Sequence, residues 1–90
     1  MKTGFTTDSG AKYRCRLEKS EKYIEESGRI CVYGVSLFRE GSEYSSDEYE
    51  NSRITDITSE KSTAEEFIAL IVRNKVLPVH LADAAYDFIG

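Results

Sequence analysis

RITDITSEKSTAEEFIALIV, residues 53–72, changes period halfway along. Its first part, Arg53–Thr58, is short and rich in β-branched residues, the composition of a strand. Its second part opens on Ser62 with Glu65 three residues later, the spacing of a helix capping box. Apolar residues then recur at Ala64, Phe67, Ile68, Ile71 and Val72, one face of an α-helix. Asn74 and Lys75 supply stop signals. Val76–Val79 reads as an extended connector, because Pro78 biases Leu77 away from helix. A second helix follows, with Leu81, Ala84, Ala85, Phe88 and Ile89 at helical spacing.

Upstream the period is two. Tyr13, Cys15 and Leu17 fall on one face, and Lys12, Arg14, Arg16 and Glu18 on the other, a half-buried strand. It continues toward Tyr23 and Ile24, with a bulge or bend expected in the polar segment Lys19–Lys22. Glu26-Ser27-Gly28-Arg29 reads as a tight turn in which Gly28 takes positive φ. Residues 30–38, ICVYGVSLF, are apolar on both faces and predict a central strand. Gly34 marks a bulge or a close approach within it. Strands followed by helices give an α+β domain, β-β-β-α-α. The expected architecture is a three-stranded antiparallel sheet with two C-terminal helices packed on one face. Residues 1–11 read as a loose, flexible arm. Residues 12–90 form a single domain interrupted by an acidic loop at 39–52.

Ninety residues, 40% hydrophobic and 31% charged, are enough for one core without staples. The charge is divided. Residues 1–39 carry eight Lys/Arg against five acids, +3, and residues 40–90 carry four against eleven, −7. A net charge of −4 repels phosphate backbones and disfavours direct nucleic-acid binding, with the basic first strand as the one feature favouring it. No apolar run reaches the length of a membrane span, and the first residues lack the apolar core of a signal peptide. The expected location is the cytoplasm.

Chemistry-bearing motifs are sparse. Phosphate-binding glycine loops, zinc-protease helices and nucleophile elbows are all missing from the sequence. Cys15 and Cys31 are not a C-x-x-C pair and read as buried free thiols. His80, Asp83 and Asp87 are spaced to share a helix face, as a metal site or a base would need. Helix initiation explains His80 and Asp83 equally well, since a carboxylate suits the first turn. Glu65 and Glu66 point about 100° apart on a helix and serve its dipole rather than a catalytic dyad. No catalytic residue, metal or cofactor is expected.

The tyrosines carry more information. Tyr13, Tyr23 and Tyr33 lie on strands and are expected to finish the core with their hydroxyls at its rim. Tyr44 and Tyr49 lie instead among Glu40, Glu43, Asp47, Glu48 and Glu50, with no basic residue between Glu40 and Glu50. A solvated insertion would have this composition. So would a surface for a basic partner, with tyrosines supplying contact area.

DITSEKSTAEEFIALIVRNKVLPVHLADAAYDFIG, residues 56–90, resembles an uncharacterised family of small proteins from anaerobic Gram-positive bacteria. The matching residues are Asp56, Ile57, Glu65, Glu66, Pro78, His80, Leu81 and Asp83. YRCRLEKS and RICVYGVSLF suit the family's opening hairpin, so the resemblance extends over most of residues 12–90. It implies no activity. It makes His80 a more deliberate residue than spacing alone does, and it marks the acidic loop as a departure from the compact family pattern. The functional expectation is a small non-enzymatic protein-binding regulator. In its concrete form, residues 40–50 dock on the basic, nucleic-acid-binding groove of a larger bacterial protein and inhibit it, as an anti-CRISPR protein does. The alternatives are a structural or homodimeric module built on strand 30–38, and a small metal-binding or enzymatic protein centred on His80.

Overall fold

A computed structural model describes residues 3–26 and 28–89. Four strands, β1 (Gly4–Thr6), β2 (Lys12–Ile24), β3 (Gly28–Arg39) and β4 (Asn51–Thr58), are followed by α1 (Lys61–Asn74), a 3₁₀ turn at Pro78–His80 and α2 (Leu81–Ile89). The strands form one antiparallel meander in the order β1-β2-β3-β4. The domain is α+β with two C-terminal helices, but its sheet has four strands rather than three. The extra strand lies inside the segment read as an arm. Phe5 is its reason: it is buried, stacks on Tyr13 at 5.4 Å between ring centroids, and brings Gly4–Thr6 into register with Lys12–Arg14.

β2 pairs with β3 without interruption from Tyr13–Arg39 to Ile24–Gly28. The bend expected at Lys19–Lys22 is therefore not there. A polar run is compatible with a regular strand when both of its faces meet water, and Lys19–Ile24 are all exposed. Gly28 sits at the hairpin turn with φ 77°, while Ser27 of the same predicted turn lies outside the described residues. The irregularity falls in β4 instead. Val35 pairs with Ile54 and Tyr33 with Thr58, so β4 carries two extra residues. Asp56 adopts φ 58° within that bulge, a conformation Asp tolerates better than most residues. The offset lets both Ile54 and Ile57, three residues apart, reach the core side. Gly34 lies beneath this crossing: a Cβ there would overlap the Ile54 carbonyl oxygen and the Thr55 Cα.

The register divides the sheet into two faces. Cys15 and Leu17 of β2, Val35 and Leu37 of β3 and Ile54 of β4 face the helices. From α1 come Ala64, Phe67, Ile68 and Ile71, the predicted stripe, and from α2 come Leu81 and Ala85. Phe88 closes the end of the core against Phe67, ring to ring at 4.9 Å, whereas Ile89 leaves the stripe and is exposed. Each fully buried side chain such as Leu37, Phe67 or Ile71 contributes roughly 1.5–3 kcal/mol of transfer free energy. α1 begins at Lys61 after Glu60, and no side chain caps its first turn. The Ser62–Glu65 capping box does not form because Ser62 is already inside the helix; the Glu60 N–H instead donates to the Thr58 hydroxyl at 3.1 Å. The C-terminal stop is as expected. Lys75 takes φ 51°, and the Val76 N–H donates to the Ile71 carbonyl at 3.0 Å.

No described helix covers the opposite sheet face. Phe38 is buried there by side chains, with the Arg16 guanidinium 5.0 Å above its ring. The helices also cover only one end of the sheet. β2 has 13 residues, roughly 43 Å at strand rise, and its hairpin with β3 projects beyond them in a molecule 49 Å long and 24 Å across. Tyr23 was expected in the core but lies on that projection and is 79% exposed.

Candidate functional site

The loop between β3 and β4, residues 40–50, is folded back on itself by its own hydrogen bonds. The Ser42 N–H donates to the Arg39 carbonyl and the Ser45 N–H to the Ser42 carbonyl, two successive turns. Asp47 organises the second half. Its carboxylate accepts from the Tyr49 N–H at 2.9 Å, an Asx turn, and its carbonyl accepts from the N–H groups of Glu50 and Asn51. Asn51, the first residue of β4, reaches across the loop. Its side-chain amide donates to the Glu43 carbonyl at 2.7 Å and to the Ser45 carbonyl at 3.3 Å. At the base, the Arg39 N–H donates to Glu50 and the Glu40 N–H to Lys12, which ties the loop to the sheet on both sides.

This backbone presents side chains to water. Tyr44 is 99% exposed and Tyr49 64% exposed. Asp47 and Glu48 are exposed, and Glu43 and Glu50 are half-buried. Glu40 is exposed too, but lines a groove beside Lys12 and Arg14. Among the described residues the ion pairs are Lys22–Asp56 at 2.8 Å and Arg29–Glu21 at 3.6 Å, both outside the loop. The loop therefore holds five carboxylates and two tyrosines on a fixed backbone, with its negative charge uncompensated by internal pairs. The sequence indicated which residues share the loop. It did not indicate Asn51, whose role is to shape it, although an Asn next to an acidic turn is a recognisable turn signal.

The other candidates come together less. His80 ends the 3₁₀ turn, and Asp83 and Asp87 lie on α2; all three are exposed. Among the described residues no three His, Cys, Asp or Glu side chains cluster as a metal-ligand set. Both cysteines are free, Cys15 buried and Cys31 half-buried. Burial pushes the Cys15 thiol up to about 12, so it stays protonated at neutral pH and is a core side chain rather than a nucleophile. Tyr33 is half-buried, and Tyr86 on α2 is 81% exposed. No described helix is long and apolar enough to cross a membrane.

Over residues 3–90 the chain matches a family of unknown function, DUF6514, and it belongs to that family. The match begins well before residue 12 and takes in β1, β2 and the acidic loop as well as the helices. No curated protein and no solved structure matches the chain.

Proposed function

We propose that this protein is a non-enzymatic binding domain that docks its 40–50 loop on a basic surface of a larger protein. The observation that carries this reading is the loop's construction. Its turns are fixed by Asp47 and Asn51, and it holds Tyr44 and Tyr49 in water beside Glu43, Asp47, Glu48 and Glu50. A solvated spacer has no need of such fixing. Pre-ordering lowers the entropic cost of association, and exposed tyrosines supply rigid contact area. Carboxylates around them steer a positive partner and match the spacing role of phosphates in a basic groove. In its specific form the partner is a nucleic-acid-binding protein of a bacterial nuclease complex, and occupation of its groove inhibits it in the manner of an anti-CRISPR protein.

The test is affinity capture from host lysate at low and high salt, with wild type beside a variant carrying Glu43→Gln, Asp47→Asn, Glu48→Gln and Glu50→Gln. The expected result is one nucleic-acid-binding protein recovered by wild type at low salt and lost by the variant. The Debye length shrinks to about 3 Å at 1 M salt, so a steered contact must weaken. Equal recovery by both proteins at both salts refutes the reading.

A second reading rests on a separate observation. β4 ends at Thr58 opposite Tyr33, so no described strand pairs with the outer edge of β3 over Gly28–Val32. The free edge of β2 carries Glu18, Lys19, Glu21 and Lys22, charges that discourage strand addition, whereas the β3 edge offers Ile30, Cys31 and Val32. Self-association through that edge is the alternative role, and a strict monomer by light scattering at high concentration removes it.

A further inference from the structure

The register fixes what the uncovered sheet face carries. One row across the sheet is Gly4, Arg14, Phe38 and Asn51, and the next is Arg16, Ser36 and Arg53. Side chains alternate along a strand, so Lys12, Arg14 and Arg16 of β2 and Arg53 of β4 all stand on this face, away from the helices. All four are exposed. Those on β2 follow one another at about 6.8 Å, two residues of strand rise, and Arg16 and Arg53 stand on either side of Ser36 with their backbones roughly 10 Å apart. Lys22, further along β2, is taken by Asp56 at 2.8 Å. None of the other four has a carboxylate within ion-pairing distance among the described residues, although Glu18 lies on the same face and Glu40 at the loop base beside Lys12. They stand on strands, so no helix terminus explains them. Arg16 also covers the Phe38 ring.

We infer that this face receives the 40–50 loop of a second copy of the chain, so that the protein associates with itself head to tail. The inference rests on the reading that the loop docks on a basic surface, and it names one such surface. The charges are complementary: Lys12, Arg14, Arg16 and Arg53 on the face against Glu43, Asp47, Glu48 and Glu50 on the loop. Within one protomer the two sets stay apart. The loop turns are held by Asp47 and Asn51, and among the described residues no loop carboxylate pairs with a cation of the face. A second copy brings them together. Its Tyr44, 99% exposed, adds contact area and a ring for a guanidinium to lie on. Loop and face are different surfaces, so the contact is heterologous: each added copy leaves one loop and one face free, and size grows with concentration. Exposed ion pairs are individually weak, which sets Kd at roughly 0.1–1 mM at low salt. A loop held by a second copy is withheld from a larger partner, so self-association regulates the docking surface.

Sedimentation velocity of the full chain up to ~1 mM, at ~0.05 M and ~1 M salt, tests the inference. A face variant carries Arg14→Gln and Arg53→Gln, and a loop variant carries Glu43→Gln and Glu48→Gln; all four side chains lie outside the described ion pairs. Wild type should self-associate at low salt and become monomeric at high salt. Each variant alone should associate about five- to tenfold more weakly, since it loses two exposed pairs. Mixed together, the two variants should regain wild-type affinity but stop at a pair, because one still has its loop and the other its face. Two misfolded proteins would not rescue each other in this way. A wild type that stays monomeric at low salt overturns the inference, as does association that persists at high salt or survives both variants. So does a mixture that shows no rescue. So does Arg14-dependent binding of a single-stranded RNA oligonucleotide tighter than the self-association, which would reassign the face to nucleic acid. A monomeric protein that still captures a larger protein through its loop overturns this inference alone, and self-association without such capture overturns the larger partner alone.

Discussion

Gly34→Ala isolates the most unusual packing in the sheet. Gly34 does not adopt positive φ, so the substitution introduces no backbone strain of its own. The cost is steric and arises in β4. The new Cβ would overlap the Ile54 carbonyl oxygen and lie 2.8 Å from the Thr55 Cα, whereas carbon atoms in contact sit about 3.5–4.0 Å apart. Both obstacles are main chain, so no rotamer change relieves them. β4 must retreat, and its retreat separates Thr58 from Tyr33 and withdraws Ile57 from the core. Overpacking costs about 1–3 kcal/mol, and losing part of the Ile57 burial adds to it. The expected destabilisation is about 3 kcal/mol, which lowers Tm by roughly 12–24 °C for a domain of this size. Urea unfolding of the variant beside wild type and Gly41→Ala reads it directly. Gly41 has open space around it but φ 92°, so its replacement should cost only about 1 kcal/mol of backbone strain. A Gly34→Ala protein within about 0.5 kcal/mol of wild type would show that β4 does not cross Gly34 as described.

Other expectations follow from the same packing. Phe67→Ala, at a site with no solvent exposure, should cost about 3–5 kcal/mol by denaturant titration. Asn51→Ala should cost about 1 kcal/mol and raise hydrogen exchange over residues 43–50, because two loop carbonyls lose their donor; unchanged exchange would mean the loop is shaped without it. The Cys15 thiol is raised from 9.0 in the unfolded chain to about 12 in the fold, so the unfolded state gives up its proton first. Its contribution is therefore intact below pH 9.0 and lost as pH climbs toward about 12, and the stability difference between wild type and Cys15→Ala should shrink across that window. In the native protein at neutral pH, a thiol reagent should modify half-buried Cys31 well before Cys15, and equal rates would contradict the burial.

The helices were legible because their signal is redundant. Ala64, Phe67, Ile68 and Ile71 repeat one face over two turns, and a single misread residue does not erase the stripe. β1 was not, because three residues carry no period, and only Phe5 marks the strand as buried. The bulge in β4 did leave a trace. Ile54 and Ile57 are three apart, so on a regular strand they face opposite sides, and an Asp that tolerates left-handed φ stands between them. Gly34, two residues before the partner of Cys15's neighbour in register, gave the complementary trace on the facing strand. Neither trace alone distinguishes a bulge from an exposed Ile or a weak strand; together they locate it.

The candidate sites divide by the same logic. The acidic loop was readable as a composition, since charge and tyrosine content need no neighbours to be recognised. The shape of the loop was not readable, because it depends on the Asn51 side chain reaching the Glu43 and Ser45 carbonyls and on the Glu40 N–H meeting the Lys12 carbonyl, contacts that join residues which composition does not pair.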